Sequence, residues 1–397
     1  MAKLRFFTAG ESHGQGLVGI LEGMPSNVEI SVDKINQQLF RRQQGYGRGR
    51  RMQIETDSAR VMSGMRFGKT LGGPISLIVE NKDWKNWERR MAIEGENPGV
   101  TPAVVPRPGH VDLAGAIKYN QTDFRNVLER ASARETTMRV ALAAIARQLL
   151  EHLGIGIASH VIRMVDVVGK YSLVDTSFEN LDFPLEMLNE KADASPVRCI
   201  DPEAEKGMMA LIDKAKEEKD TVGGIFEVVA YNVPIGLGSH VHWDRKLDAR
   251  IAAAMMSIQA MKGVEIGDGI GGACRFGSQV HDGIYYDAEA KKYYRKKNTA
   301  GGLEAGITNG MPLVVRVSMK PIATLMRPLD SVNLETKEHA PAHKERSDVC
   351  AVPAAGVIGE AMLALVLADA VLEKFGGDSF EEMQQRYDAW QEYVRSR

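Results

Sequence analysis

The chain has 397 residues, 44% hydrophobic and 26% charged, which excludes disordered, collagen-like and disulfide-scaffold classes and allows two or three domains or one large intertwined unit. Fifty Lys and Arg against 52 Asp and Glu give a formal net charge of -2, so no global field draws the chain to nucleic acid or an anionic membrane, and any basic site is local. Glycine is the outlier: 39 residues, against the usual roughly 7%. Cys199, Cys274 and Cys350 are odd in number and contain no C-x-x-C pair, so they read as buried thiols of a reducing compartment.

The opening segment, MAKLRFFTAGESHG, turns polar before an apolar signal region forms, which points to a cytoplasmic protein. A strand there ends at Gly10-Glu11-Ser12-His13-Gly14, where glycines admit close approach and an imidazole is able to move a proton near pH 7. An amphipathic helix through Ile35 and Leu39 runs into a Gly-rich stretch, Arg41 to Arg51, with five arginines in eleven positions. Planar guanidinium groups on such a backbone suit bidentate capture of phosphate or carboxylate. A single-stranded RNA patch is the rival reading, disfavoured by the balanced charge and by the lack of a nucleic-acid module.

Further along, Arg107-Pro108-Gly109-His110-Val111-Asp112 sets a second histidine on a rigid turn, with a carboxylate two residues on to orient or charge it. A long helix is predicted from Ser132 to Leu153, with Met138, Leu142, Ile145, Leu149 and Leu153 on one face, a capping box at Ser132 and Glu135, and Gly154 as terminator. Its N-terminus, with Arg130, Ser132 and Arg134, is a ready anion site. Glu203 to Asp220 reads as a solvated peripheral helix, Pro353 to Phe375 as an apolar one and Phe380 to Val394 as a charged one. The apolar run Ala361 to Val371, broken by Asp369, is far short of the roughly 20 residues of a membrane span. Arg346-Ser347-Asp348 precedes that helix, and Asp348 taken alone reads as an N-cap or ion-pair partner more readily than as a chemical group. Metal, nucleotide P-loop and Ser-His-Asp patterns are absent, and Gly267-x-Gly269-x-x-Gly272 lacks the context of a dinucleotide fingerprint.

One pattern recurs. Gly64-x-x-x-Gly68-x-Thr70-x-Gly72-x-Pro74 reappears as Gly302-x-x-x-Gly306-x-Thr308-x-Gly310-x-Pro312, each followed by a β-branched strand. Upstream, Pro25, Lys34, Ile35 and Leu39 match Pro234, Lys246, Leu247 and Ile251 more weakly. The expectation is a single unit of two pseudo-symmetric halves, about 1–150 and 155–397. Strands without regular βαβ alternation predict an α+β class with antiparallel sheets.

Five segments, Gly10-Glu11-Ser12-His13-Gly14, Gly45-Tyr46-Gly47-Arg48-Gly49, Arg107-Pro108-Gly109-His110-x-Asp112, Glu129 to Thr136 and Arg346-Ser347-Asp348, appear in order along a chain that resembles the chorismate synthase family nearly end to end. The resemblance implies a lyase that makes chorismate from 5-enolpyruvylshikimate 3-phosphate by 1,4-anti elimination of phosphate, with reduced FMN required although there is no net redox change. It implies that His13 protonates the departing phosphate, that His110 lies near the flavin, and that Asp348 helps the flavin accept the substrate proton. Substrate or NADP contacts carry over to Arg42, Arg48, Arg51 and Arg134. Flavin contacts carry over to Arg130, Ala131, Ser132, Gln259, Ala260, Ala305, Lys320, Pro321, Ile322, Ala323, Thr324 and Arg346. The family fold is a β-α-β sandwich with antiparallel sheets flanked by helices, assembled as a homotetramer, with no metal. A chain of this length resembles the forms served by an external flavin reductase.

Overall fold

The computed structural model describes residues 4–49, 56–174, 181–345 and 347–397; Arg51 and Arg346, two of the expected contacts, lie outside them. A first antiparallel sheet holds β1 (Arg5–Ala9), β2 (Gly16–Glu22), β3 (Ala59–Ser63) and β4 (Ile75–Glu80) in the order β1-β2-β4-β3. A second, also antiparallel, holds β5 (Gly156–Met164), β6 (Val167–Val168), β7 (Gly224–Tyr231), β8 (Met261–Ile266) and β9 (Leu313–Met319) in the order β8-β9-β7-β5-β6. The main helices are α1 (Val32–Gln43), α2 (Asp112–Tyr119), α3 (Arg125–Ala131), α4 (Thr136–His152), α5 (Pro202–Glu217), α6 (Leu247–Met256), α7 (Val352–Phe375) and α8 (Phe380–Ser396).

The class is α+β with antiparallel sheets, and the long helices lie between the sheets. On β2, Leu17, Gly19 and Leu21 turn inward by the two-residue period, and α4 packs on them. At Gly19 a Cβ would come within 2.4 Å of Met138 Cγ, so strand and helix approach to a spacing that only glycine allows. From the other side α7 packs on α4, β5 and β7. All of α7 is buried except Val366, Glu373 and Lys374. Its length and apolarity match a membrane span, further than the sequence run implied, yet 89% of its most apolar stretch is buried, as in a core helix. The outer face of the second sheet carries a smaller core of Ala158, Leu173, Leu188, Val229 and Val314.

Local signals hold at most helix ends. Gly154 takes φ +80°, its N–H donates to the Glu151 carbonyl and that of Ile155 to Leu150, a Schellman closure of α4. The capping box does not form. Ser132 caps a single 3-10 turn, Ala133–Glu135, by accepting from the Arg134 N–H at 3.2 Å, while Glu135 takes Thr8 Oγ1 at 2.6 Å and the Arg139 guanidinium at 2.8 Å. Charge-assisted partners outcompete the neutral backbone N–H. The peripheral helix α5 is amphipathic, with Ala204, Met208, Ile212 and Ala215 buried; Cys199 and Cys350 are buried as expected, whereas Cys274 is exposed.

Glu360 of α7 is buried and receives Arg41 through both terminal nitrogens at 2.9 Å, Arg147 at 2.6 Å, Arg198 at 3.2 Å and Ser159 at 2.6 Å. Burial alone would raise this carboxyl, but the guanidinium groups hold it far below the usual carboxylate range. Arg41, first of the arginine cluster, is therefore a core residue rather than an anion binder.

The recurring Gly-Thr-Pro pattern has recurring geometry. Gly64, Gly68 and Gly72 have φ of +81°, +77° and +80°; Gly302, Gly306 and Gly310 have +80°, +83° and +87°. Phe67 and Ala305, each just before the middle glycine, have φ of +50° and +49°, as a type I′ hairpin turn requires. Thr70 Oγ1 donates to the Pro25 carbonyl and Thr308 Oγ1 to that of Pro234, both at 2.6 Å. A Cβ on Gly302 would meet the Pro312 carbonyl at 2.5 Å, whereas one on Gly154 would meet nothing within 4 Å. Gly154→Ala should therefore cost about 1–2 kcal/mol from its positive φ alone, and Gly302→Ala at least about twice that, read from urea unfolding. Equal losses would show that the Gly302 approach is not rigid.

Candidate functional site

His13 sits in the β1–β2 connection. The Ser12 N–H donates to the Glu129 carbonyl at 3.1 Å, and the His13 N–H to Glu129 Oε2 at 2.9 Å. His13 Nδ1 lies 3.0 and 2.9 Å from the two carboxylate oxygens of Glu129, whose side chain is only 1% exposed. A carboxylate only accepts, so Nδ1 carries the hydrogen and Nε2 is turned away from Glu129. Trp87 stacks on the ring, centroids 3.7 Å apart and planes at 28°, and is itself anchored by Nε1 to Asp83 at 3.0 Å. Behind Glu129, Arg125 donates to it at 2.6 Å and to Glu345 at 2.9 Å.

His110 is built the same way from a local motif. Gly109 at φ +76° turns the chain, and His110 Nδ1 lies 2.5 Å from Asp112 Oδ1 at the buried start of α2. Arg107 reaches Asp112 through Nε at 2.8 Å and Nη2 at 3.0 Å, and Thr324 through Nη1 at 2.9 Å. Burial would raise the Asp112 carboxyl, but bonds from His110 and Arg107 and their charges hold it well below the carboxylate range. Arg107 Nη2 is also 3.0 Å from His110 Nδ1; because two donors do not bond each other, the hydrogen on Nδ1 goes to ionised Asp112. Burial likewise opposes ionisation of Glu345, yet His343, Arg125 and the charge of Arg107 bring it down to about 2.

The arginines converge on α4. Arg42 donates from Nε to Thr136 Oγ1 at 2.9 Å and from Nη2 to the Ala133 carbonyl at 2.8 Å. Arg134 Nη1 meets both oxygens of Asp57, at 2.7 and 2.6 Å. Burial and the charges of Arg48 and Arg134 push Arg42 down to about 9, against the pull of Asp57. Asp348 accepts the Gly49 N–H at 2.7 Å and lies 3.3 Å from Arg48 Nε, so it is the ion-pair partner of the arginine loop and not an N-cap; Ala351 holds that position. Arg42 Nη1 and Arg48 Nε are buried without a hydrogen bond among the described residues.

Most of the expected cofactor residues are tied to these groups. Arg130 donates to the carbonyls of Thr8 and Gly10, and Ser132 Oγ to Ser12 Oγ at 3.2 Å. Gln259 donates to Glu135 at 3.1 Å, while its Oε1 is buried with no partner among the described residues. Ala260, at φ +70°, accepts the Lys320 N–H at 3.0 Å, and Lys320 Nζ reaches the Gly109 carbonyl at 3.1 Å. Burial and the charge of Lys262 lower Lys320 below its ordinary value. Ala323 faces Gly109 across 3.6 Å from where a Cβ would stand. Ala131 follows Arg130 at the end of α3, and Pro321 and Ile322 continue from Lys320, with the Ile322 carbonyl accepting from Thr221 at 2.8 Å. Ala305 instead sits at the tip of the second Gly-rich hairpin, whose Gly306 carbonyl accepts from Leu247 at the start of α6.

A chorismate synthase family model matches residues 4–372. The chorismate synthase of Aquifex aeolicus is 57% identical over 394 residues, 99% of this chain and 98% of that protein. The chorismate synthase of Solibacter usitatus is 52% identical over 395 residues, 99% of this chain and all of that one. A crystal structure of chorismate synthase superposes with a TM-score of 0.78 at 46% identity, covering 99% of each chain. The chain belongs to the chorismate synthase family. Membership makes it an enzyme of the lyase class that acts on a phosphate ester.

Several contributors escaped the sequence reading. Glu129 was quoted only inside a signature, and its i,i+4 spacing from Arg125 was the signal available. Trp87, Asp57 and Glu345 have no local pattern that marks them. Because the folded Glu345 carboxyl lies below its ordinary 4.5, it contributes stability above that pH that is lost as pH falls toward 2. The difference in unfolding free energy between the native chain and Glu345→Gln should thus be largest above about pH 5 and shrink toward pH 2. Urea titrations at fixed ionic strength check this, and a difference independent of pH would refute it.

Proposed function

We propose that the protein converts 5-enolpyruvylshikimate 3-phosphate to chorismate in the shikimate pathway, on the way to aromatic amino acids, with reduced FMN as its cofactor. The observation that carries this reading, within this family, is the pair of histidines, each with Nδ1 committed to a buried, arginine-paired carboxylate, together with guanidinium N–H groups of Arg42 and Arg48 that are buried without a hydrogen bond among the described residues. A substrate with one phosphate and two carboxylates repels an anionic cofactor strongly in low dielectric, so the site has to be cationic.

In the elimination the C–O bond to phosphate breaks, a second ring double bond forms, and a hydrogen leaves the ring as a proton. His13 Nε2 donates the proton that the departing phosphate takes up. Arg42, Arg48, Arg51 and Arg134 bind the phosphate and carboxylates and orient the ring. Asp348, beside Arg48, assists removal of the proton lost from the ring, and His110 holds a proton beside the cofactor. The residues fit a flavin phosphate and ring system: Lys320, Arg130 and Arg346 supply cations, Gln259 Oε1 an unused acceptor, and Ala131, Ser132, Ala260, Ala305 and Pro321 to Thr324 the remaining contacts. Reduced FMN, when bound, supplies electron density that eases phosphate departure without being consumed.

The chain is further read as one unit of two pseudo-symmetric halves, about 1–150 and 155–397, on the strength of the matched glycine dihedrals and threonine bonds. A homotetramer is supported by the apolar outer face of the first sheet, where exposed Phe7 pairs across from exposed Ile20, and exposed Val18 from half-buried Ile78. A cytoplasmic setting with an external flavin reductase completes the reading.

Under anaerobic conditions with dithionite-reduced FMN, the protein should form chorismate from 5-enolpyruvylshikimate 3-phosphate. Stoichiometric NADPH oxidation without that substrate would favour a plain flavin reductase, and salt-sensitive RNA retention without flavin binding would favour an RNA module. His13→Ala and His110→Ala should each lower kcat by about 100-fold or more, and Asp348→Asn should slow turnover while sparing FMN affinity. Unchanged turnover in either histidine variant would remove its assigned role.

A further inference from the structure

We propose that Glu129, backed by Arg125 and Glu345, is a positioning relay that fixes His13 for proton donation. The proposal rests on the reading of His13 as the proton donor to the departing phosphate, and it assigns work to three residues outside the substrate and cofactor contacts named above.

Glu129 holds the histidine twice. Its Oε2 accepts the His13 backbone N–H at 2.9 Å, and its two oxygens bracket Nδ1 at 2.9 and 3.0 Å, so loop and ring are set by one carboxylate. Trp87, stacked at 3.7 Å, fixes the plane of the ring. With ring plane and tautomer both set, Nε2 is the one nitrogen able to serve a reactant, and its direction is inherited from α3.

A carboxylate buried to 1% exposure does not hold its charge alone. Arg125, one helical turn earlier on α3, supplies the countercharge at 2.6 Å, lies over the Trp87 ring at 5.2 Å and reaches Glu345 at 2.9 Å. Burial would lower Arg125, but Glu345 and Glu129 hold it above its ordinary value. Glu345 in turn lies 3.5 Å from His343 Nε2. Behind His13, the charges of Glu129, Arg125 and Glu345 alternate in sign. Removal of one member leaves its neighbours with uncompensated buried charge and frees the ring it holds.

The test is a double-mutant cycle on the full chain with saturating reduced FMN. Glu129→Gln should lower kcat by about 100-fold, the scale of a misplaced reacting group, with KM for 5-enolpyruvylshikimate 3-phosphate and FMN affinity changed less than about threefold. Glu345→Gln should lower kcat by about tenfold in the same pattern. Placed in the His13→Ala background, neither should cost more than about twofold further, because a residue that acts through His13 has nothing left to act on. Losses that add in that background, or that fall on KM and FMN affinity, overturn the relay. If Glu129→Gln does not fold, the Glu345→Gln cycle carries the same expectation. The single variant His13→Ala separates the two failures: unchanged turnover there sinks the proton-donor reading itself, whereas a large loss there with additive cycles sinks only the relay.

Discussion

A buried carboxylate costs several kcal/mol unless a cation is carried in with it, and nearly every decisive position in this protein is a solution to that constraint. In the core, Glu360 is satisfied by Arg41, Arg147 and Arg198, drawn from α1, α4 and the loop before α5, so one side chain of α7 fastens three other parts of the chain. On the second sheet, Glu227 is held by His160, Ser172 and Arg316 and lies near 2 despite full burial. At the site, Glu129, Asp112, Glu135 and Asp57 each have an arginine. A net charge of -2 is thus the residue of many internal pairs, and it conceals a cluster in which Arg42 Nη1 and Arg48 Nε have no hydrogen bond among the described residues.

The layers determine where that cluster lies. α4 is apolar almost all round because a sheet lies on one side and α7 on the other, and its polar groups are confined to its ends. The N-terminal end, with the 3-10 turn at Ala133–Glu135, collects Arg42, Arg134, Ser132 and Glu135, while the β1–β2 connection brings Ser12 and His13 across to the end of α3. Rigid packing behind the turn lets short loops hold chemistry at fixed geometry.

Much of this was legible in the sequence, and the misses share one cause. The class, the extents of α4 and α7, Gly154 as terminator and the paired Gly-Thr-Pro turns follow from periodicity and from backbone conformations that only particular residues adopt. His110 with Asp112 was readable because both sit on one turn. Arg41 read as an anion binder because its partners Glu360 and Asp193 are remote in sequence, and the Ser132–Glu135 capping box failed because Thr8 and Gln259 arrive from elsewhere to claim the glutamate. Ion pairs obey distance in space, and local spacing reports them only when both members share an element.

The two histidine stations make the point most sharply. Each imidazole gives Nδ1 to a buried carboxylate that an arginine secures, yet one pair is separated by two residues and the other by 116. The His110 station is a property of its own turn and survives wherever that turn is formed. The His13 station exists only when the first strand connection is pressed against α3, and α3 leads directly through Ser132 into α4 and the arginines around it. Geometry at His13 therefore reports on the packing of the first sheet against α3 and α4, so the imidazole is aligned only after the arginine cluster beside it has been assembled.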